Sequence, residues 1–197
     1  SIGGNIRLEV GEQDSLTYIA AEKLFMRGDN DGARRSLINY LQTFPEGAFS
    51  SNANFYLGSI AFAKKEFDEA IQRFKSVIAS SDTKFLEESV ARTAEIEYLS
   101  KDYPAALESF KRLQIVAENP ENRQAARLGI MRCALQTGQQ KDALLAADEL
   151  LKEPKLSPEL EAEARYVRAK AYIAQKQANK ALADLKELSK DTRTVHG

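Results

Sequence analysis

The residues able to do covalent or acid–base chemistry are few in this chain and poorly placed for it. The single cysteine, Cys133, has Arg132 beside it, and a neighbouring cation lowers a thiol pKa. Ile130, Ala134 and Leu135 nevertheless put it inside an apolar helical stretch, where a thiol is an inert packing group. The one histidine, His196, stands next to the last residue, so neither a His-based relay nor a zinc site is expected around it. Acidic pairs such as Asp68-Glu69 and Glu87-Glu88 fall in or near the first turns of expected helices, where carboxylates favour the helix dipole. No glycine-rich phosphate loop is present. The expectation is a non-enzymatic protein with no cofactor and no metal.

The bulk composition narrows the remaining classes. Hydrophobic residues make up 43% of the 197 and charged residues 29%, enough for a core under a soluble surface. A net charge of −1 argues against a dedicated nucleic-acid binder, which carries a clustered basic excess. The halves differ mildly: 11 Lys/Arg against 15 Asp/Glu in residues 1–98, net −4, and 17 against 14 in residues 99–197, net +3. No apolar run approaches the ~18–20 residues that span a bilayer, so direct membrane insertion of this fragment is not expected. One cysteine permits no internal disulfide, and the compartment stays open. A chain beginning Ser1-Ile2-Gly3-Gly4 reads as cut from a longer one.

The elements follow from a repeat. Asn54–Ile78 reads as two amphipathic helices joined by a tight turn, with small residues at Gly58 and Ala70 where the helices cross and Leu57, Phe67 and Phe74 around them. The pattern recurs with landmark alanines at Ala33, Ala70, Ala106, Ala143 and Ala181, separated by 37, 36, 37 and 38 residues. Four residues after each landmark stand Leu37, Phe74, Phe110, Ala147 and Leu185, one helical turn away on the same face. Turn signals fall between the paired helices at Gly28-Asp29-Asn30 and Gly138, while Lys64-Lys65-Glu66 lacks a glycine. Pro45, Pro120 and Pro154 mark exits from second helices.

These signals predict ten helices over 15–27, 30–44, 50–64, 67–80, 85–100, 104–117, 121–136, 140–152, 158–175 and 178–190. They form an array over 15–190 with repeats at 15–48, 49–83, 84–120, 121–156 and 157–190. Ile6, Leu8 and Val10 alternate with polar residues, so residues 1–14 read as an extended segment or linker. Residues 191–197 read as a truncated tail without a polar cap, leaving the last repeat open to a partner or a second copy.

Leu57-Gly58, Phe67, Ala70 and Phe74 resemble the tetratricopeptide repeat, whose helix pair carries a Leu-Gly, aromatics, an Ala and a Phe in that order. The third copy keeps Tyr103, Ala106 and Phe110, and the fifth keeps Tyr172, Ala181 and Leu185. Departures are Ala61 and Glu97 where the family prefers Tyr, Arg168 where it prefers Leu, and a spacing longer than the family's usual length of about 34. The resemblance implies an all-α fold, a right-handed α-solenoid of five antiparallel helix pairs. Phe44-Pro45-Glu46-Gly47 followed by Asn52–Gly58 is similar to repeats of bacterial cell-envelope proteins, which favours a periplasmic or envelope location over the cytoplasm.

In that family the first helix of each pair lines a concave surface. The matching positions lie eighteen, fifteen, eleven and eight residues before each landmark, one helical stripe. Candidate partner contacts are therefore Tyr18, Glu22 and Phe25; Phe55, Ser59 and Phe62; Glu95 and Tyr98; Arg132; and Tyr166 and Lys170. Tyr18, Phe55 and Tyr166 are the favoured contacts, since aromatic residues are enriched at interfaces. Phe25, Phe62, Leu135 and Ile173 serve equally well as packing between first helices. Tyr18, Glu22 and Phe55 replace the Lys and Asn of the repeats that clamp chaperone tails. Glu22, Glu88, Glu95 and Glu163 on the stripe disfavour RNA. The resemblance thus implies a scaffold binding a protein or peptide. The alternative is a structural or oligomerising segment whose groove is filled by its own chain or a second copy.

Overall fold

A computed structural model describes the backbone of residues 2–196 and the side chains of residues 11–190. Ten helices follow one another: α1 (Ile2–Met26), α2 (Asn30–Thr43), α3 (Ser50–Ala63), α4 (Phe67–Ala79), α5 (Leu86–Leu99), α6 (Tyr103–Val116), α7 (Pro120–Thr137), α8 (Gln140–Leu151), α9 (Pro158–Ala174) and α10 (Ala178–His196). The fold is all-α, with no strand among the described residues.

Two expectations need correction. Residues 1–14 read as a linker or extended segment in the sequence, yet α1 begins at Ile2 and runs without a break into the first repeat. Once a helix exists, each further residue adds a hydrogen bond without a new nucleus, so the short period-two pattern at Ile6, Leu8 and Val10 is overridden. The expected tail likewise continues α10 as far as His196, whose side chain lies outside the described ones, as do Ser1 and Gly197 altogether.

The turn inside each pair is the most regular feature of the chain. Five residues before every landmark alanine the backbone enters the left-handed region: Gly28 (φ 80), Lys65 (φ 60), Lys101 (φ 61), Gly138 (φ 73) and Lys176 (φ 60). Each closes the first helix with the same two bonds. The residue after it donates to a carbonyl five back, as Asp29 to Leu24, Glu66 to Ala61, Asp102 to Glu97, Gln139 to Ala134 and Gln177 to Tyr172. The left-handed residue itself donates three back, as Lys65 does to Phe62. Such a motif satisfies the orphan carbonyls of a helix end. The donor residue then serves as N-cap of the second helix, and the Asp29 carboxylate accepts from Gly32 N at 3.0 Å.

The chain divides into two compact units, Ser1–Thr93 and Ala94–Gly197, with the boundary inside α5. In the first unit α1 packs on α2, α2 on α3 and α3 on α4. Leu37, Tyr40, Ala53, Leu57 and Ile60 share one buried cluster with Tyr18 and Ala21. Gly58 permits the α3–α4 crossing, since a Cβ there would stand 2.8 Å from the Phe74 ring. The segment between α2 and α3 is pinned from α1: the buried Asp14 carboxylate accepts from the Tyr40 hydroxyl and from Ala48 N at 2.9 Å, and the Tyr40 oxygen accepts from Phe49 N at 3.0 Å.

In the second unit successive helices α6 to α10 pack in order, with α7 also touching α9. The side chain that glycine lacks at Gly129 is replaced by the ring of Phe110 from α6. Asp184 of α10 is 1% exposed and is held by Arg168 at 2.7 Å and Arg165 at 3.1 Å, with Arg168 also reaching Asp148 of α8 at 2.9 Å. Arg168 thus ties three helices together.

Candidate functional site

Within the first unit the stripe residues of α1 and α3 are drawn into an aromatic layer. Tyr18 is only 2% exposed: its ring stacks on Phe49 at 4.4 Å and meets Tyr40 edge-on at 5.7 Å. Its hydroxyl donates to Glu22 at 2.6 Å, and burial followed by that acceptor pushes the phenol well above its ordinary range. Tyr18 is therefore a core residue and not an accessible contact. The cover comes from Phe49, just ahead of α3, which no periodicity within α1 could reveal.

Phe55 is half-buried, stacked on Phe85 at 4.3 Å and tilted against Phe74 at 5.9 Å. Phe25 lies 4.6 Å from Tyr56, and Tyr56 meets Phe85 edge-on at 5.8 Å. The layer thus runs Phe25–Tyr56–Phe85–Phe55 and uses two residues off the expected stripe. Tyr56 sits one position beyond Phe55, and Phe85 precedes α5 where helical spacing assigns it no place. Ser59 turns its hydroxyl back to the Phe55 carbonyl at 2.9 Å. Phe62 packs on Phe67 at 5.6 Å and carries the Arg92 guanidinium at 4.9 Å over its ring, a cation–π contact.

Within the second unit Tyr98 is half-buried against Tyr103 at 5.7 Å and Phe110 at 6.5 Å. Arg132 is committed to Glu163 through two parallel bonds, Nε to Oε1 at 2.7 Å and Nη2 to Oε2 at 2.9 Å, which hold its pKa above the ordinary guanidinium value. Two expected stripe residues therefore satisfy each other between α7 and α9. Glu95 is partly buried and engaged within the protein. On α9 the arrangement differs. Tyr166 is 51% exposed and Ile173 53%, with Lys170 exposed between them and its ammonium 5.4 Å from the Tyr166 ring centroid. Among the described residues no carboxylate pairs with Lys170.

The Cys133 thiol is fully buried, and desolvation pushes its pKa up to about 11 although Arg132 acts the other way. Two open clefts of about 410 and 350 Å³ occur in the second unit, one between Pro120 and Lys155 and one along α6 and α8, and neither is lined by a stripe residue. Among the described residues no group of His, Cys, Asp and Glu could hold a metal ion, and no helix is long and apolar enough to cross a membrane.

Residues 20–83 match the family model of the tetratricopeptide repeat. Among solved structures the chain is similar to YrrB, described as a TPR protein with an unusual peptide-binding site, at 19% identity and a TM-score of 0.67 over 93% of this chain and 89% of that one. It is similar to MamA from Desulfovibrio magneticus RS-1 at 14% identity and a TM-score of 0.60, over 92% and 96% of the two chains. A tetratricopeptide repeat protein from Parabacteroides merdae gives 16% and 0.60, over 91% and 80%. At these identities the likeness is one of fold. No curated protein matches the sequence.

Proposed function

Because the chain carries tetratricopeptide repeats, matched at residues 20–83 and continued by the fold of tetratricopeptide-repeat structures, we propose that it is a protein-interaction scaffold whose first-helix stripe takes a protein or peptide partner. The observation that carries this reading is the row on α9. Tyr166, Lys170 and Ile173 lie on one face of the helix at spacings of four and three, and two large apolar side chains there remain half open to water. Covering the half of each that is still exposed would gain roughly 0.8–1.5 kcal/mol before the cost of association. Lys170 adds a cation for a partner carboxylate or carbonyl. In the first unit the half-buried layer from Phe25 to Phe55 offers ring edges and faces and serves as a secondary contact. That YrrB is described as having a peptide-binding site supports the same reading by analogy of fold.

The test is selection from a random-peptide display library on the folded protein, followed by affinity measurement on wild type, Tyr166→Ala/Ile173→Ala and Tyr18→Phe. Selected peptides are expected to lose at least about tenfold in affinity on the α9 double variant, given the 1.4 kcal/mol that each tenfold represents. Tyr18→Phe, a core change, should leave affinity unaltered. Equal affinity for wild type and the α9 variant, with helicity preserved, sinks the assignment of the site.

A further inference from the structure

We propose that the aromatic layer of the first unit takes an arginine side chain of the partner, with Glu22 as its counter-charge, an inference that rests on the first-helix stripe being a partner surface. A carboxylate without a cation stands there among partly covered rings. Glu22, Tyr18 and Phe25 belong to α1, and Asn52 and Tyr56 come to them from α3 of the same unit. The Tyr18 hydroxyl donates to Oε2 of Glu22 at 2.6 Å, and the Asn52 side chain, beside the same phenol, acts against the rise in its pKa. Tyr56 is close enough that Glu22, after burial, is the main cause of its raised phenol pKa. Phe25 lies 4.6 Å from Tyr56, and Glu22, Phe25 and Tyr56 are each only partly buried.

Equivalent positions in the second unit show what usually satisfies such a charge. Eleven residues before the landmark alanine stands Glu22 in the first repeat and Arg132 in the fourth. Eighteen before the following landmark stand Asn52 and Glu163 respectively. In the second unit these two positions close on each other, Arg132 and Glu163 sharing bonds of 2.7 and 2.9 Å. In the first unit the acid occupies the earlier position and a neutral amide the later one. Among the described residues no Lys or Arg pairs with Glu22. The cation–π contacts of this unit fall on other rings, Arg92 over Phe62 at 4.9 Å and Lys84 over Phe85 at 5.1 Å.

Charge and ring chemistry together select the occupant. An apolar anchor would cover the rings but would also take the Glu22 carboxylate out of water without a partner, which is costly. An acidic side chain would meet Glu22 with like charge. A cation satisfies both groups, and arginine suits them better than lysine. Its guanidinium is planar, weakly hydrated and able to stack on a ring face while donating from its edge. One edge can donate to Oε1 of Glu22, the oxygen that Tyr18 leaves unused, while the plane lies against Phe25 or Tyr56. The ammonium of lysine is a strongly hydrated point charge and gains less from the rings.

NMR titration of the folded protein with N-acetyl-arginine methylamide tests this, since the probe carries the side chain and no other charge. N-acetyl-lysine methylamide and N-acetyl-norleucine methylamide are the comparisons, the second having a stem without charge. Arginine is expected to shift the amides around Glu22, Phe25 and Tyr56 with a Kd on the order of 10 mM, as befits one side chain. Lysine should bind about threefold more weakly and norleucine not measurably. Glu22→Gln keeps an acceptor for the Tyr18 hydroxyl, so the fold should persist while arginine binding weakens at least about fivefold and loses its salt dependence. Phe25→Leu keeps an apolar side chain and should weaken arginine by about threefold. Equal binding of arginine to wild type and Glu22→Gln overturns the proposal. So does lysine binding as tightly as arginine, norleucine shifting the same amides, or no shift with any probe. The titration reads the first unit alone, which separates it from the α9 contact. If library peptides ignore Tyr166 and Ile173 while the arginine probe behaves as expected, the α9 contact fails and this one stands. If the peptides depend on those two residues and the probe fails, only this one falls.

Discussion

A cysteine beside an arginine invites the reading of a reactive thiolate, and the surroundings of Cys133 show why that fails. The thiol is fully buried, and removing it from water outweighs the pull of Arg132, with the buried carboxylate of Glu97 adding to the rise. The consequence is an alkaline liability. Below pH 9 the thiol is neutral folded and unfolded, so its contribution is fully present. Between its ordinary value of 9.0 and the native value of about 11 the unfolded chain ionises while the native one does not, and stability falls with rising pH. The slope is at most about 1.4 kcal/mol per pH unit. Urea unfolding of wild type and Cys133→Ala under reducing conditions at pH 8 and 10.5 should show wild type losing about 2 kcal/mol more than the variant over that interval. Tyr18 and Tyr40, whose phenols burial also raises, steepen both curves equally and cancel in the comparison. Parallel pH dependences would mean that Cys133 is hydrated in solution.

The helical hairpin is the element whose sequence signal was clearest, and its turn is where the signal was uneven. Gly28 and Gly138 announce a left-handed residue, but the same conformation is held by Lys65, Lys101 and Lys176, which carry no such mark. The register of the array imposes it: with the two helices fixed by Gly58 against Phe74 and the cap bonds fixed behind Phe62, the intervening residue has no other path. A side chain in that region costs ~1–2 kcal/mol, of which glycine returns part while raising unfolded-state entropy. Lys65→Gly, Lys101→Gly and Lys176→Gly are each expected to stabilise by roughly 0.5–1 kcal/mol in denaturant unfolding. A loss in all three would show that the lysine stems pack usefully.

The same contrast separates what could be read from the sequence at this scale. The boundaries between α2 and α9 were legible from the landmark alanines and turn residues, because periodicity reports which face is buried. The helical start of α1 was hidden by a short alternating pattern. The burial of Tyr18 was hidden because Phe49, its cover, lies thirty-one residues on and outside any helix. Tyr56 and Phe85 were missed for a related reason: the aromatic layer is assembled across elements, while the stripe was drawn along one.

Within each unit, packing mainly joins helices that are neighbours or next neighbours in the chain, as α3 on α4, Phe25 of α1 on Tyr56 of α3, and α7 on α9. Stability in such an array is nearly a sum of local terms, so damage should stay near its origin. Asp184 offers the sharpest probe. Its carboxylate compensates Arg165 and Arg168, and Arg168 keeps only Asp148 when Asp184 is removed. Breaking a buried ion pair by deleting one partner costs about 3–5 kcal/mol, and the partial exposure of the two guanidiniums moves the expectation for Asp184→Ala to the lower end. Native-state hydrogen exchange should then show amides of α9 and α10 losing protection first, α8 next through its Asp148 contact, and those of α3 and α4 unchanged. The double variant Asp184→Leu/Arg168→Met should recover part of the loss, since it removes charge from both sides of the network and places apolar side chains at both positions. A uniform drop across α3, α4, α9 and α10 would show instead that the array opens as one cooperative body, and the nearest-neighbour description would then fail for this chain.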